Sequence, residues 1–109
     1  MLVRVGPLPD SPLDAAGHFH AQVLPRIRDF ATTNDHVTVA FGPADHTHRG
    51  WRLAAVQGLA REFAPVRINA IAAQGEAAFL AAESYLARSP GVTGQYLVLD
   101  ADGAGDPLS

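Results

Sequence analysis

The chain has 109 residues, 48% of them hydrophobic, and a formal net charge of −3, which suits one domain with a buried core and is too short for two. It has no Cys, so disulfides, thiolate metal sites and a cysteine nucleophile are excluded. It has no Lys either, and its eight basic residues are all Arg, scattered from Arg4 to Arg88 without a basic patch, so nucleic-acid binding is not expected.

No apolar run approaches the roughly 20 residues of a membrane span. Residues 1–6 are a short apolar stretch closed by Pro7 and Pro9, unlike a secretory signal. These features point to a soluble, cytoplasmic protein without membrane contact. Arg and Ala in place of Lys point to a GC-rich bacterial genome.

Residues 2–5 read as a short β-branched strand ended by Gly6-Pro7. Ser11-Pro12-Leu13-Asp14 is a helix start: Ser11 caps, Pro12 sits where its missing N–H costs nothing, and Asp14 is the acidic member of a capping box. The helix runs to about Phe30, with Phe19, Val23, Ile27 and Phe30 as its apolar stripe and Pro25 expected to kink it. His18 and His20, at i and i+2, read as partly exposed helix residues.

Residues 37–41 form the second strand, ended by Gly42-Pro43. A second helix follows over about 47–63. One face carries Leu53, Val56, Ala60 and Phe63; another carries Trp51, Ala55, Gly58 and Glu62, with Ala54, Ala55 and Gly58 small enough for a neighbouring helix to approach closely. After Pro65, residues 66–72 read as a buried parallel strand. Gln74-Gly75-Glu76 opens a third helix that ends near Arg88. Residues 95–100 form the last strand, and 101–109 read as a flexible tail. Asp100 to Asp106 has the composition of a calcium loop but lacks its spacing and closing Glu.

The predicted fold is α/β: a small Rossmann-like half-domain over residues 1–100, with a four-stranded parallel sheet in sequential order and about three helices. Right-handed crossovers in that order place all three helices on one face. The other face is then bare and needs a cover, with another copy of the chain or another protein as the expected one.

Two segments carry a family resemblance. LAREFAPVRINAIA, Leu59 to Ala72, resembles the LAREFAPxRVNAIAPG stretch of short-chain dehydrogenases/reductases. Ala87 to Asp100 resembles the VTGQ-containing end of that family, and Leu24-Pro25-Arg26-Ile27 is similar to its LPxM helix. On this resemblance nearly the whole chain matches the second half of the family, from its fourth strand onward. The family's dinucleotide is held by a Gly-rich turn after its first strand, and no such turn lies between any strand and helix here. Its Tyr-x-x-x-Lys pair falls on Asp45 and Arg49, which replace neither the phenol as an acid near neutral pH nor the compact ammonium. Its catalytic Ser would lie near Phe41-Gly42, yet no Ser occurs between Leu13 and Glu83. Its helix Asn has no counterpart, its PG after the third strand is Ala73-Gln74, and its substrate lid is absent. The resemblance therefore implies no catalytic residues of the family, no nucleotide cofactor and no metal. Asn69 stands in the RVN-like segment, where a role in holding loops is expected.

Two functions are open at this point. In the first, the chain is a non-catalytic relative acting by association. The family packs its two long helices into a four-helix bundle between subunits, and the matching helices here offer Phe19, Val23, Trp51, Ala55 and Gly58 as the association surface. The expected partners are a second copy, as a homodimer or higher, or a full-length short-chain dehydrogenase, with the exposed edge of the first strand as a further pairing site. In the second, a crevice beyond the second strand is repurposed around Asp45, His46, His48 and Arg49, with Arg49 pairing a carboxylate or phosphate. The same residues also read as a plain helix entry with Asp45 as the cap. The i, i+2 spacing of the two His residues speaks against a metal.

Overall fold

The computed structural model describes residues 1–99 and 105–106. The strands β1 (Leu2–Arg4), β2 (His36–Phe41), β3 (Arg67–Ala72) and β4 (Tyr96–Leu99) are adjacent in chain order and mutually parallel. The sequential four-stranded parallel sheet is thus as expected. A two-residue strand β5 (Gly105–Asp106) adds to β4 in the antiparallel sense. Part of the segment read as a tail therefore belongs to the sheet; the rest of that segment, and most of the calcium-loop-like run, lies outside the described residues.

The first helical rod comprises α1 (Pro12–His18), a π-helical stretch (Phe19–Val23) and α2 (Leu24–Ala31). Ser11 caps it by accepting from the Asp14 N–H at 3.5 Å. The widened turn lies just ahead of Pro25, whose ring nitrogen cannot donate to the carbonyl four residues back. Its second use is in the pattern of burial. Ala15, Phe19, Val23, Ile27 and Ala31 are all buried, a strict four-residue repeat. On a regular α-helix that repeat drifts by about 160° over its 16-residue span, and absorbing one extra residue in a π turn cuts the drift to about 60°. The whole stripe therefore reaches the sheet.

The next helix, α3 (Arg49–Phe63), is preceded by one turn of 3₁₀ helix (His46–His48). Its buried stripe is Arg52, Val56 and Leu59. This line runs between the two faces read from the sequence, leaving Leu53, Ala60 and Phe63 on one flank and Trp51, Ala55 and Gly58 on the other, all half-buried. The rod of residues 12–31 and α3 share one face of the sheet, over Val3, Val37, Val39, Phe41, Ile68, Ala70 and Ala72.

The last helix, α4 (Glu76–Ala87), corrects the expectation of a bare face. It packs on the opposite side, with Ala82 and Leu86 against Ala40 and Ile71. Because the strand order still advances in the same direction, the β3–α4–β4 crossover has the opposite hand to the two before it. The chain turns there through Gly75, at φ 101°, a backbone conformation that L side chains rarely adopt. Charged groups anchor the helix: Glu83 accepts from the N-terminal ammonium at 3.0 Å and pairs with His36 at 2.9 Å, and Glu76 pairs with Arg4 on the edge strand. Arg67 donates to the Leu86 and Ser89 carbonyls at 2.9 and 3.0 Å, satisfying acceptors that the helix end leaves free.

Asn69 has the role expected of it. It is buried, donates to the Val92 carbonyl at 3.0 Å and accepts from the Gln95 N–H at 3.1 Å, so both ends of its amide hold the loop that delivers β4. Among the described residues, no helix is long and apolar enough to cross a membrane.

Candidate functional site

The chain leaves β1 through Gly6-Pro7-Leu8-Pro9 and leaves β2 through Gly42-Pro43-Ala44. These two loops enclose a crevice of about 550 Å³, which His48 and Arg52 line from the start of α3. Its position, outside the carboxyl ends of parallel strands, is where open α/β sheets place their ligand sites.

Of the four residues expected to form a site, the structure brings two to this crevice. Asp45 lines it, with its carboxylate engaged as the cap of the 3₁₀ turn: it accepts from the Thr47 N–H at 2.9 Å and from the Thr47 hydroxyl. These bonds, the hydroxyl first, hold the Asp45 carboxyl below the usual carboxylate range. His48 lines it as a buried residue. His46 and Arg49 are exposed and outside the lining. The two His side chains thus part company: with i, i+2 spacing His46 turns outward where His48 turns in. Among the described residues, no group of three or more His, Asp and Glu side chains converges as a metal site.

The neighbours of His48 decide its tautomer. The Trp51 indole N–H, which can only donate, points at Nδ1 at 3.1 Å, and the Asp10 carbonyl, which can only accept, lies 3.0 Å from Nε2. A neutral ring with its proton on Nε2 satisfies both. It ties the first loop to α3 and has no nitrogen left over for acid–base work. Trp51 packs among the rings of Phe19, Phe41 and His48 at centroid distances of 5.4, 5.6 and 6.3 Å.

Arg52 was not among the residues singled out from the sequence. It is only 4% exposed. Its guanidinium lies over the Phe41 ring, 4.3 Å from the centroid, and Nη1 donates to the Gly42 carbonyl at 3.0 Å and to the Tyr96 hydroxyl at 3.1 Å. Nε is buried without a partner. Among the described residues, no carboxylate lies within ion-pairing distance of this charge. The signal was present in the spacing: Arg52, Val56 and Leu59 stand at i, i+4 and i+7, so a charge occupies a place in an inward stripe.

A second concavity, of about 220 Å³, lies on the outer side of the helical layer, between α2 and α3. Leu24 and the small residues Ala54, Ala55 and Gly58 line it. Arg28 and Glu62 bridge its end through paired contacts of 2.9 and 3.0 Å. Of the residues expected to form an association surface, Ala55 and Gly58 line this groove, and Trp51 is half-buried. Phe19 and Val23 face the sheet instead, because their four-residue repeat lies on the inward stripe.

Asp45 thus caps a turn, and Arg49 stands at the surface. A family model described as short chain dehydrogenase-like protein matches residues 3–99. No curated protein and no solved structure matches the chain. The match runs from within β1 to the end of β4 and includes the helices between them; the chain belongs to the short chain dehydrogenase-like family.

Proposed function

We propose that this chain is a non-catalytic member of its family that works by association, as a homodimer or higher assembly or with a full-length short-chain dehydrogenase, in a cytoplasmic setting. The observation that carries this reading is Gly58. It sits within α3, where a glycine costs about 1 kcal/mol relative to alanine, and a Cβ built there meets nothing within 4 Å. Its own fold has no steric need for glycine at this place. A helix from another subunit, approaching closely across Ala54, Ala55 and Gly58, makes use of the missing side chain. Asp45 and Arg49 at the dehydrogenase positions support the non-catalytic part: one is engaged as a turn cap, and neither supplies the phenol or the ammonium of the family mechanism.

Light scattering at low micromolar concentration tests the proposal. The expected result is a dimer or larger species that Gly58→Arg converts to a monomer with its fold intact, since the new side chain points into open space. A monomer at every concentration, with no dehydrogenase relative recovered by the tagged chain from cell extract, would sink it. A ligand in the crevice, the second reading, is favoured by Arg52 rather than Arg49 and is compatible with association.

A further inference from the structure

A guanidinium is a permanent cation in proteins. Burying such a charge is costly unless it is paired and hydrogen-bonded. Phe41, Gly42 and Tyr96 engage the ring-facing side and the Nη1 end of the guanidinium. One edge remains, formed by Nε and Nη2. Nε is buried and unpartnered, and Nη2 makes no hydrogen bond among the described residues. The N–H groups along that edge are parallel donors, the arrangement that matches two oxygens of a carboxylate.

We propose that this edge of Arg52 is the receptor for a small organic carboxylate bound in the crevice between the β1 and β2 loops. Arg52 is a crevice-lining residue, as are the apolar side chains of Val5, Leu8, Pro43 and Ala44, which receive the body of the acid. Because Nε is covered, contact begins at Nη2 and is completed by a small shift of the guanidinium. The lining favours a monoanion over a dianion. Among the described residues Arg52 is its one Arg, and Asp10 and Asp45 stand in the same lining, so a phosphate dianion meets more repulsion from the two carboxylates than a singly charged acid held at the Arg52 edge. The site is separate from the groove between α2 and α3 and does not depend on association.

The test is a titration of the full chain with hexanoate, with hexanamide and inorganic phosphate as controls, followed by nitrogen–proton NMR. The reporters are the Arg52 Nε–H and the indole N–H of Trp51, the sole tryptophan, which is bonded to His48 beside the crevice. Hexanoate is expected to shift both signals saturably, with a dissociation constant in the millimolar range or tighter. Hexanamide is expected to shift neither, and phosphate to bind at least about tenfold more weakly than hexanoate. Arg52→Lys is expected to weaken hexanoate by at least about tenfold, because an ammonium cannot present the paired donors. Where that variant fails to fold, the comparison of acid with amide on the native chain decides alone. An equal response to acid and amide, no saturable response, or phosphate binding tighter than hexanoate overturns the proposal.

Discussion

Replacing Gly58 with alanine acts in opposite directions on the subunit and on the assembly. The backbone at Gly58 lies within the α3 helix, outside the left-handed region, and the added Cβ has nothing within 4 Å to meet. The substitution therefore removes the conformational freedom that glycine gives the unfolded chain and introduces no clash within the fold. The expected gain is about 0.5–1 kcal/mol. For a chain of this size that is a rise of roughly 2–8 °C in the melting temperature. Thermal unfolding followed by circular dichroism, at a concentration where light scattering reports monomer, measures this term alone. Raised concentration brings in the second: if α3 meets a partner helix at Gly58, the methyl group separates the two backbones and the dissociation constant rises. A drop in the melting temperature of the monomer would refute the account of α3, because it requires a contact at Gly58 that the fold does not contain. A rise in melting temperature with unchanged self-association would confirm the helix environment and remove Gly58 from the interface.

Phe19→Ala is expected to cost about 3–5 kcal/mol, measured by urea unfolding, because the ring is fully buried between Phe41 and Trp51 and its loss leaves a cavity. Asn69→Ala removes both hydrogen bonds to the loop before β4 and leaves its partners unpaired; a loss of about 1–3 kcal/mol and faster hydrogen exchange at the Gln95 N–H are expected. Burial raises the Glu83 carboxyl, but the nearby Thr38 hydroxyl and the contacts with the terminal ammonium and His36 outweigh it, so Glu83 stays ionised below its ordinary range. Its stabilising contribution is then full above the ordinary carboxylate value and lost as pH falls through the lowered one. Acid titration of stability is expected to show this loss in the native chain and to show less of it in Glu83→Gln; an identical acid limb in the two proteins would contradict the pairing.

Much of the fold is legible in the local pattern. The β-branched runs, the breaks at Gly42-Pro43 and Pro65, and the caps at Ser11 and Asp45 mark the elements, since each signal acts within a few residues of the chain. Asn69 was legible only through its place in a family-like segment, and its two hydrogen bonds fit that role. The candidate site was legible in location but not in membership. The polar cluster after β2 drew attention to Asp45, His46, His48 and Arg49. The turn then exposed His46 and Arg49, and Arg52, hidden in an apolar stripe, brought a guanidinium to the crevice.

The sequence alone determined the alternation of strands and helices, the parallel sheet in chain order and the positions of most element ends, because periodicity, caps and breakers are local properties of the backbone. Tertiary structure decided which face α4 covers, and therefore the hand of the last crossover. That choice rests on Ala82 and Leu86 meeting Ala40 and Ile71, with Glu83 reaching His36, contacts between residues far apart in the chain that no local repeat encodes. It also decided the surroundings of Arg52. The stripe position sends the side chain inward, but only the packed ends of β2 and β4 supply two acceptors and an aromatic face, with no carboxylate among the described residues for it to pair with.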